Sequence, residues 1–144
     1  MTIKFLQKPT CTTCRKAKAF LEKLGAELEL RSLDAQRLRE AEIDKLIGKR
    51  DYKKFLNTRN ELYRARKMKD KPPSRAEAIK FMAKEPNLIR RPVVIRGQEI
   101  VLGYDEDAFR KLEYDLFYLK HLSILFDIAI VFRTVRVVLF GFGR

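Results

Sequence analysis

The sequence has only two cysteines and one histidine in 144 residues. That scarcity argues against metal chemistry. A structural zinc ion takes four ligands, and Cys11, Cys14 and His121 cannot supply them. No metal site and no bound cofactor are expected, and no chemistry is assigned to His121. Two cysteines also fall far short of a secreted disulfide framework. The N-terminus carries no apolar stretch of secretory length, so a reducing, cytoplasmic setting is expected. Acidic residues are scarce as well: 19 Asp and Glu face 32 Lys and Arg, for a net charge of +13 and a pI near 10.0. Such a balance calls for an anionic partner: nucleic acid, an acidic protein surface, an oxyanion or an anionic membrane. Solvated helix faces are the competing explanation, and the run RARKMKDK at 64–71 fits it. An aromatic-interleaved basic groove, an RRM motif and a helix-turn-helix signature are all missing, so no motif supports direct nucleic-acid binding.

What the chain does have is the stretch Pro9-Thr10-Cys11-Thr12-Thr13-Cys14-Arg15. It follows a short apolar run, Ile3 to Leu6, and opens an amphipathic run, Lys16 to Leu24. That context reads as strand, loop and helix start. A cysteine at a helix start faces unpaired N–H groups and the positive end of the helix dipole, and both favour thiolate over thiol. Cys11 is therefore the expected nucleophile. Cys14 lies about one helical turn on, within reach of a disulfide to Cys11. The CxxC spacing is that of thioredoxin-like redox motifs. Inert buried thiols are the alternative, and it weighs more on Cys14 than on Cys11.

Further along, Thr12 or Thr13 is expected to cap a helix that stops at Gly25. Leu28 to Leu33 reads as a second strand, parallel to the first, with Glu29 and Arg31 facing outward. Asp34 is expected to cap a helix from Ala35 to Ile47, ended by Gly48. Arg50 to Lys67 is basic and helical, in two short pieces. Pro72-Pro73 breaks the chain. Ser74 and Glu77 form a capping box for a helix to Lys84. Val93 to Ile95 and Glu99 to Leu102 make a hairpin around Gly97. Asp105 caps a helix that starts near Glu106 and extends toward Leu116. The order β-α-β, helices, β-β-α after a CxxC predicts an α/β, thioredoxin-like fold with a helical insertion at about 35–85.

Four pieces in this order resemble the ArsC/Spx family, which holds glutaredoxin-coupled arsenate reductases and Spx redox regulators. They are Pro9 to Ala17, Leu56-Asn57-Thr58-Arg59, Glu85 through Arg91-Pro92-Val93-Val94, and Leu102-Gly103-Tyr104. The resemblance covers residues 1–112. It implies a cis bond at Arg91-Pro92 beside the cysteine loop. It implies Cys11 as catalytic nucleophile and Cys14 as resolving or redox-switch cysteine, with Arg59, Arg91 and Arg15, the last one turn beyond the nucleophile, as oxyanion-binding residues. Arginine suits that task because its planar fork binds oxyanions bidentately and stays charged. Without the resemblance Arg59 and Arg91 would read as surface arginines, and Arg90 reads as the solvent-facing member of its pair.

Two departures from arsenate reductases are visible. Their third arginine falls on Gly103, and the second cysteine is not part of their pattern. Both lean toward Spx. The expected function is a thiol-dependent oxidoreductase similar to arsenate reductase, with glutathione or glutaredoxin as reductant. The alternative is a Spx-like regulator whose disulfide controls binding to the C-terminal domain of the RNA polymerase α subunit. A third reading is a tail-anchored remnant without chemistry.

Residues 113–144 are expected to form an amphipathic, apolar helical extension. Within Leu122 to Phe142, the charges Asp127, Arg133 and Arg136 argue against a spanning helix. Residues 112–144 resemble the C-terminus of bacterial polyisoprenyl-phosphate sugar transferases, which implies a position peripheral to the inner membrane. So large an apolar face predicts membrane or self-association contacts.

Overall fold

The computed structural model describes residues 2–112 and 128–135. Strand β1 (Ile3–Gln7) occupies an inner position of a four-stranded sheet ordered β2-β1-β3-β4, with β2 at Leu28–Ser32, β3 at Val93–Arg96 and β4 at Glu99–Leu102. β1 runs parallel to β2 and antiparallel to β3, and β3–β4 is the expected hairpin. Phe5 sits opposite Leu30 on one side and Val94 on the other. The crossover between the parallel strands is α1 (Thr12–Lys23), which buries Cys14, Ala17 and Leu21, a spacing of three and four along one helical face. Gly25 follows at φ +78°, a left-handed turn that a glycine takes without strain.

Between β2 and β3 lies the helical insertion: α2 (Glu40–Ile47), a 3-10 turn at Tyr52–Phe55, α3 (Glu61–Ala65), α4 (Arg75–Lys84) and a 3-10 turn at Pro86–Leu88. Its Ile43, Ile47, Phe55, Ile79 and Met82 form one apolar cluster with Leu6 and Val93 of the sheet. α4 starts where the capping box places it. The Ser74 hydroxyl accepts from the Glu77 N–H, and the Glu77 carboxylate accepts from the Ser74 N–H at 2.9 Å. Ser74→Ala is expected to lower unfolding free energy by about 1 kcal/mol in urea denaturation, with an unchanged m-value.

Three local expectations are corrected. Neither Thr12 nor Thr13 caps α1: Cys11 itself is the N-cap residue and makes no side-chain cap bond. Asp34 caps nothing, and the next helix begins at Glu40 rather than Ala35. The cause is Arg31, whose guanidinium takes the Gln36 and Arg37 carbonyls, both at 3.2 Å, and holds residues 35–39 out of the helix. Asp34 instead pairs with Lys8 at 3.6 Å. On the edge strand β2, Glu29 faces outward as expected, but Leu30 is 45% exposed while Arg31 is half-buried against Glu42 at 2.8 Å, the reverse of what is expected at those two positions. That pairing and the Arg39 N–H hold the Glu42 carboxyl down at about 2.

Asp105 does cap the helix at 106–112 (α5), its carboxylate accepting from the Ala108 N–H at 3.0 Å. Its extension toward Leu116 lies outside the described residues. The chain divides into two compact units, Met1–Phe109 and Arg110–Arg144. In the second, residues 128–135 form a helix (α6) whose Ile130, Val131 and Phe132 are exposed. No helix among the described residues is long and apolar enough to cross a membrane. Asp127, Arg136, His121 and most of the 113–144 extension lie outside the described residues.

Candidate active site

The site is assembled where β1 hands over to α1. Lys8 ends the turn by accepting the Cys11 N–H at 3.0 Å, which leaves Cys11 in an extended conformation (φ −80°, ψ 119°) at the helix N-cap. Its half-buried thiol therefore looks into the unpaired N–H groups of the first turn. Burial opposes ionisation of Cys11. The backbone N–H and thiol of Cys14, the backbone N–H of Thr13 and the charge of Arg91 outweigh it, and the Cys11 pKa falls below the ordinary thiol value. Cys14 behaves in the opposite way. It is fully buried, and burial together with the neighbouring Cys11 sulfur pushes its pKa up to about 11. Both cysteines are free thiols. The pair is thus asymmetric: a half-buried sulfur whose ionisation is favoured, and a fully buried one behind it that holds its proton and donates to it.

Above Cys11 opens a cavity of about 490 Å³ lined by Asn57, Arg59, Arg90, Arg91, Gly103 and Tyr104, among others. Among the described residues no acidic side chain lines it. The cis bond at Arg91-Pro92 is present, and Pro92 is buried. Arg91 is fixed by its Nη1, which donates to Asn87 Oδ1 at 2.9 Å. The same oxygen accepts from Lys8 Nζ at 3.0 Å, so one neutral amide bridges Arg91 to Lys8, which also pairs with Asp34. A second amide carries the Arg59 loop. Asn57 Oδ1 accepts from the Arg59 N–H at 3.1 Å, while Asn57 Nδ2 donates to the Asn87 carbonyl at 3.0 Å. Asn57 and Asn87 therefore tie the two arginine segments together.

The structure brings Cys11, Arg59 and Arg91 to one cavity, with Cys14 directly behind Cys11. It does not bring Arg15 there: that side chain is exposed on α1 and is not part of the lining. Arg90 is exposed as expected, yet it also lines the cavity. Asn57, Asn87 and Lys8 were missed as positioning residues, because their partners lie up to 79 positions away.

A parallel-plus-hairpin sheet with a CxxC at the first helix start and a cis-proline before the third strand defines a thioredoxin-like thiol protein. Comparison with known proteins narrows this. The ArsC family model matches residues 6–112, and the chain belongs to that family. It is similar to the uncharacterized protein YusI of Bacillus subtilis, at 35% identity over 77% of this chain and 98% of that protein. It is also similar to the global transcriptional regulator Spx 2 of Lactococcus lactis, at 29% identity over 71% of this chain and 79% of that one. Among solved structures, a possible arsenate reductase from Streptococcus mutans matches with a TM-score of 0.62 and 32% identity, over 72% of this chain and 91% of that chain.

Proposed function

We propose that this protein is a thiol-dependent oxidoreductase similar to arsenate reductase, with the Cys11 thiolate as nucleophile. One observation carries the reading. A sulfur whose pKa is lowered by backbone N–H groups and Arg91 opens into a cavity with three arginines and, among the described residues, no carboxylate. Among the described residues, Arg59 and Arg90 make no ion pair, and Arg91 is held by a neutral amide. Uncompensated guanidinium charge beside a thiolate suits an anionic electrophile, whose approach to a bare thiolate would otherwise be repelled. With arsenate, the sulfur–arsenic bond forms and a protonated oxygen leaves as water, with no change of oxidation state. Two further thiols, glutathione and a glutaredoxin, then supply two electrons and depart as a disulfide. Water then displaces the sulfur from arsenic, which releases arsenite and regenerates the Cys11 thiol. The same thiolate can instead attack a disulfide, with Cys14 resolving the mixed disulfide. The reducing cytoplasm is the setting this chemistry needs.

The second reading is a Spx-like regulator that binds the C-terminal domain of the RNA polymerase α subunit. It is favoured by the Cys14 thiol seated against Cys11 and by the likeness to Spx 2. The test runs both assays on one preparation. Arsenate turnover coupled to glutathione and glutaredoxin supports the enzyme. No turnover, with capture of the α C-terminal domain only after oxidation, supports the regulator.

A further inference from the structure

Arg90 is the cavity residue whose position the local sequence does not explain. Its backbone is fixed by an N–H donated to the Phe55 carbonyl at 2.7 Å. Gly103, across the cavity wall, is fixed by an N–H donated to the Pro92 carbonyl at 2.8 Å, and it holds a left-handed φ of +81°. Between these anchors the Nε and Nη2 edge of the Arg90 guanidinium comes up against the glycine. A Cβ at position 103 would stand 3.1 Å from Nε and 3.4 Å from Nη2. A side chain there would require the guanidinium to give by a few tenths of an ångström, in a backbone conformation already strained for any residue but glycine. The glycine thus does two things: it takes a backbone conformation that other residues resist, and it leaves the space that Arg90 fills.

Placing a third guanidinium beside Arg59 and Arg91, with no carboxylate in the lining, costs repulsion in the empty cavity. That repulsion is offset when an anion with more than one negative charge sits among them, and less so by a single charge. We propose that Arg90, seated on Gly103, is the third anion-binding residue of the Cys11 cavity, and that it confers preference for tetrahedral oxyanions carrying two charges over those carrying one. This rests on the reading of the cavity as an anion site.

The test is protection of Cys11 from iodoacetamide, followed by mass spectrometry at constant ionic strength. Sulfate serves as the dianion and perchlorate as the monoanion. In the unmodified protein, sulfate is expected to protect at lower concentration than perchlorate. Arg90→Ala is expected to raise the half-protecting sulfate concentration roughly tenfold, with little change for perchlorate and none in thermal midpoint. Arg90→Lys restores part of the loss. Gly103→Ala is expected to shift the half-protecting sulfate concentration in the same direction by less, and to add nothing in the Arg90→Ala background. Equal sulfate protection in Arg90→Ala and the unmodified protein overturns the role of Arg90 and leaves the anion site standing. No sulfate protection of the unmodified protein overturns both.

Discussion

Cys11→Ser is expected to abolish arsenate turnover, by roughly 10³-fold or more, while Cys14→Ser keeps most of it. The asymmetry follows from the two environments. A serine hydroxyl at position 11 would stay protonated, because the same N–H groups and Arg91 cannot bring an alcohol near the pH range in which they ionise a thiol. Cys14 is sealed from solvent and keeps its proton, at a pKa of about 11, so it contributes a hydrogen bond to the nucleophile rather than an attack on substrate. Losing that bond costs a modest factor. The disulfide-dependent reading reverses the pattern: there, either single substitution removes the oxidised form and with it the capture of a partner. Turnover and capture measured on both variants separate the two.

Phe5→Ala is expected to have the largest effect on folding. The ring is fully buried on β1, the strand paired on both edges, opposite Leu30 and Val94. Truncating a buried phenylalanine costs about 3–5 kcal/mol, against a total of roughly 5–15 kcal/mol for an ordinary domain. A fall in the thermal midpoint of more than about 10 °C should be seen by circular dichroism. A fall of only a degree or two would mean that the inner strand is not central to the core. Because β1 delivers the cysteine loop through Lys8, the same substitution should speed alkylation of Cys14, which is sealed in the intact fold.

What was legible in the sequence is what local physics decides. The Ser74–Glu77 box set the start of α4, the glycine between two β-branched runs set the hairpin, and Gly25 and Gly48 ended their helices. The position of Cys11 at the start of α1 was legible for the same reason, since a helix start is a local feature. The misread parts are those that a distant residue decides. The helix expected from Ala35 is shortened by Arg31 reaching across from an edge strand, and nothing in residues 35–39 announces that. Arg15 carries the right charge one turn from the nucleophile, but the helix turns it to solvent. Arg90 looked like the spare member of an arginine pair. Its place depends on an empty Cα thirteen positions later, which only the folded chain brings against it.

The account stands on one property, the ionisation of Cys11, and the rate of its alkylation as a function of pH measures it. Peptide mass spectrometry of iodoacetamide-treated protein should give a midpoint for Cys11 below the ordinary thiol value of about 8.5, because only the thiolate reacts and a lowered pKa keeps it populated at lower pH. Arg91→Met should move the midpoint upward by removing a charge, and Asn87→Asp should do so by placing a carboxylate between Lys8 and Arg91. A midpoint at or above the ordinary value, unmoved by either substitution, would contradict the account.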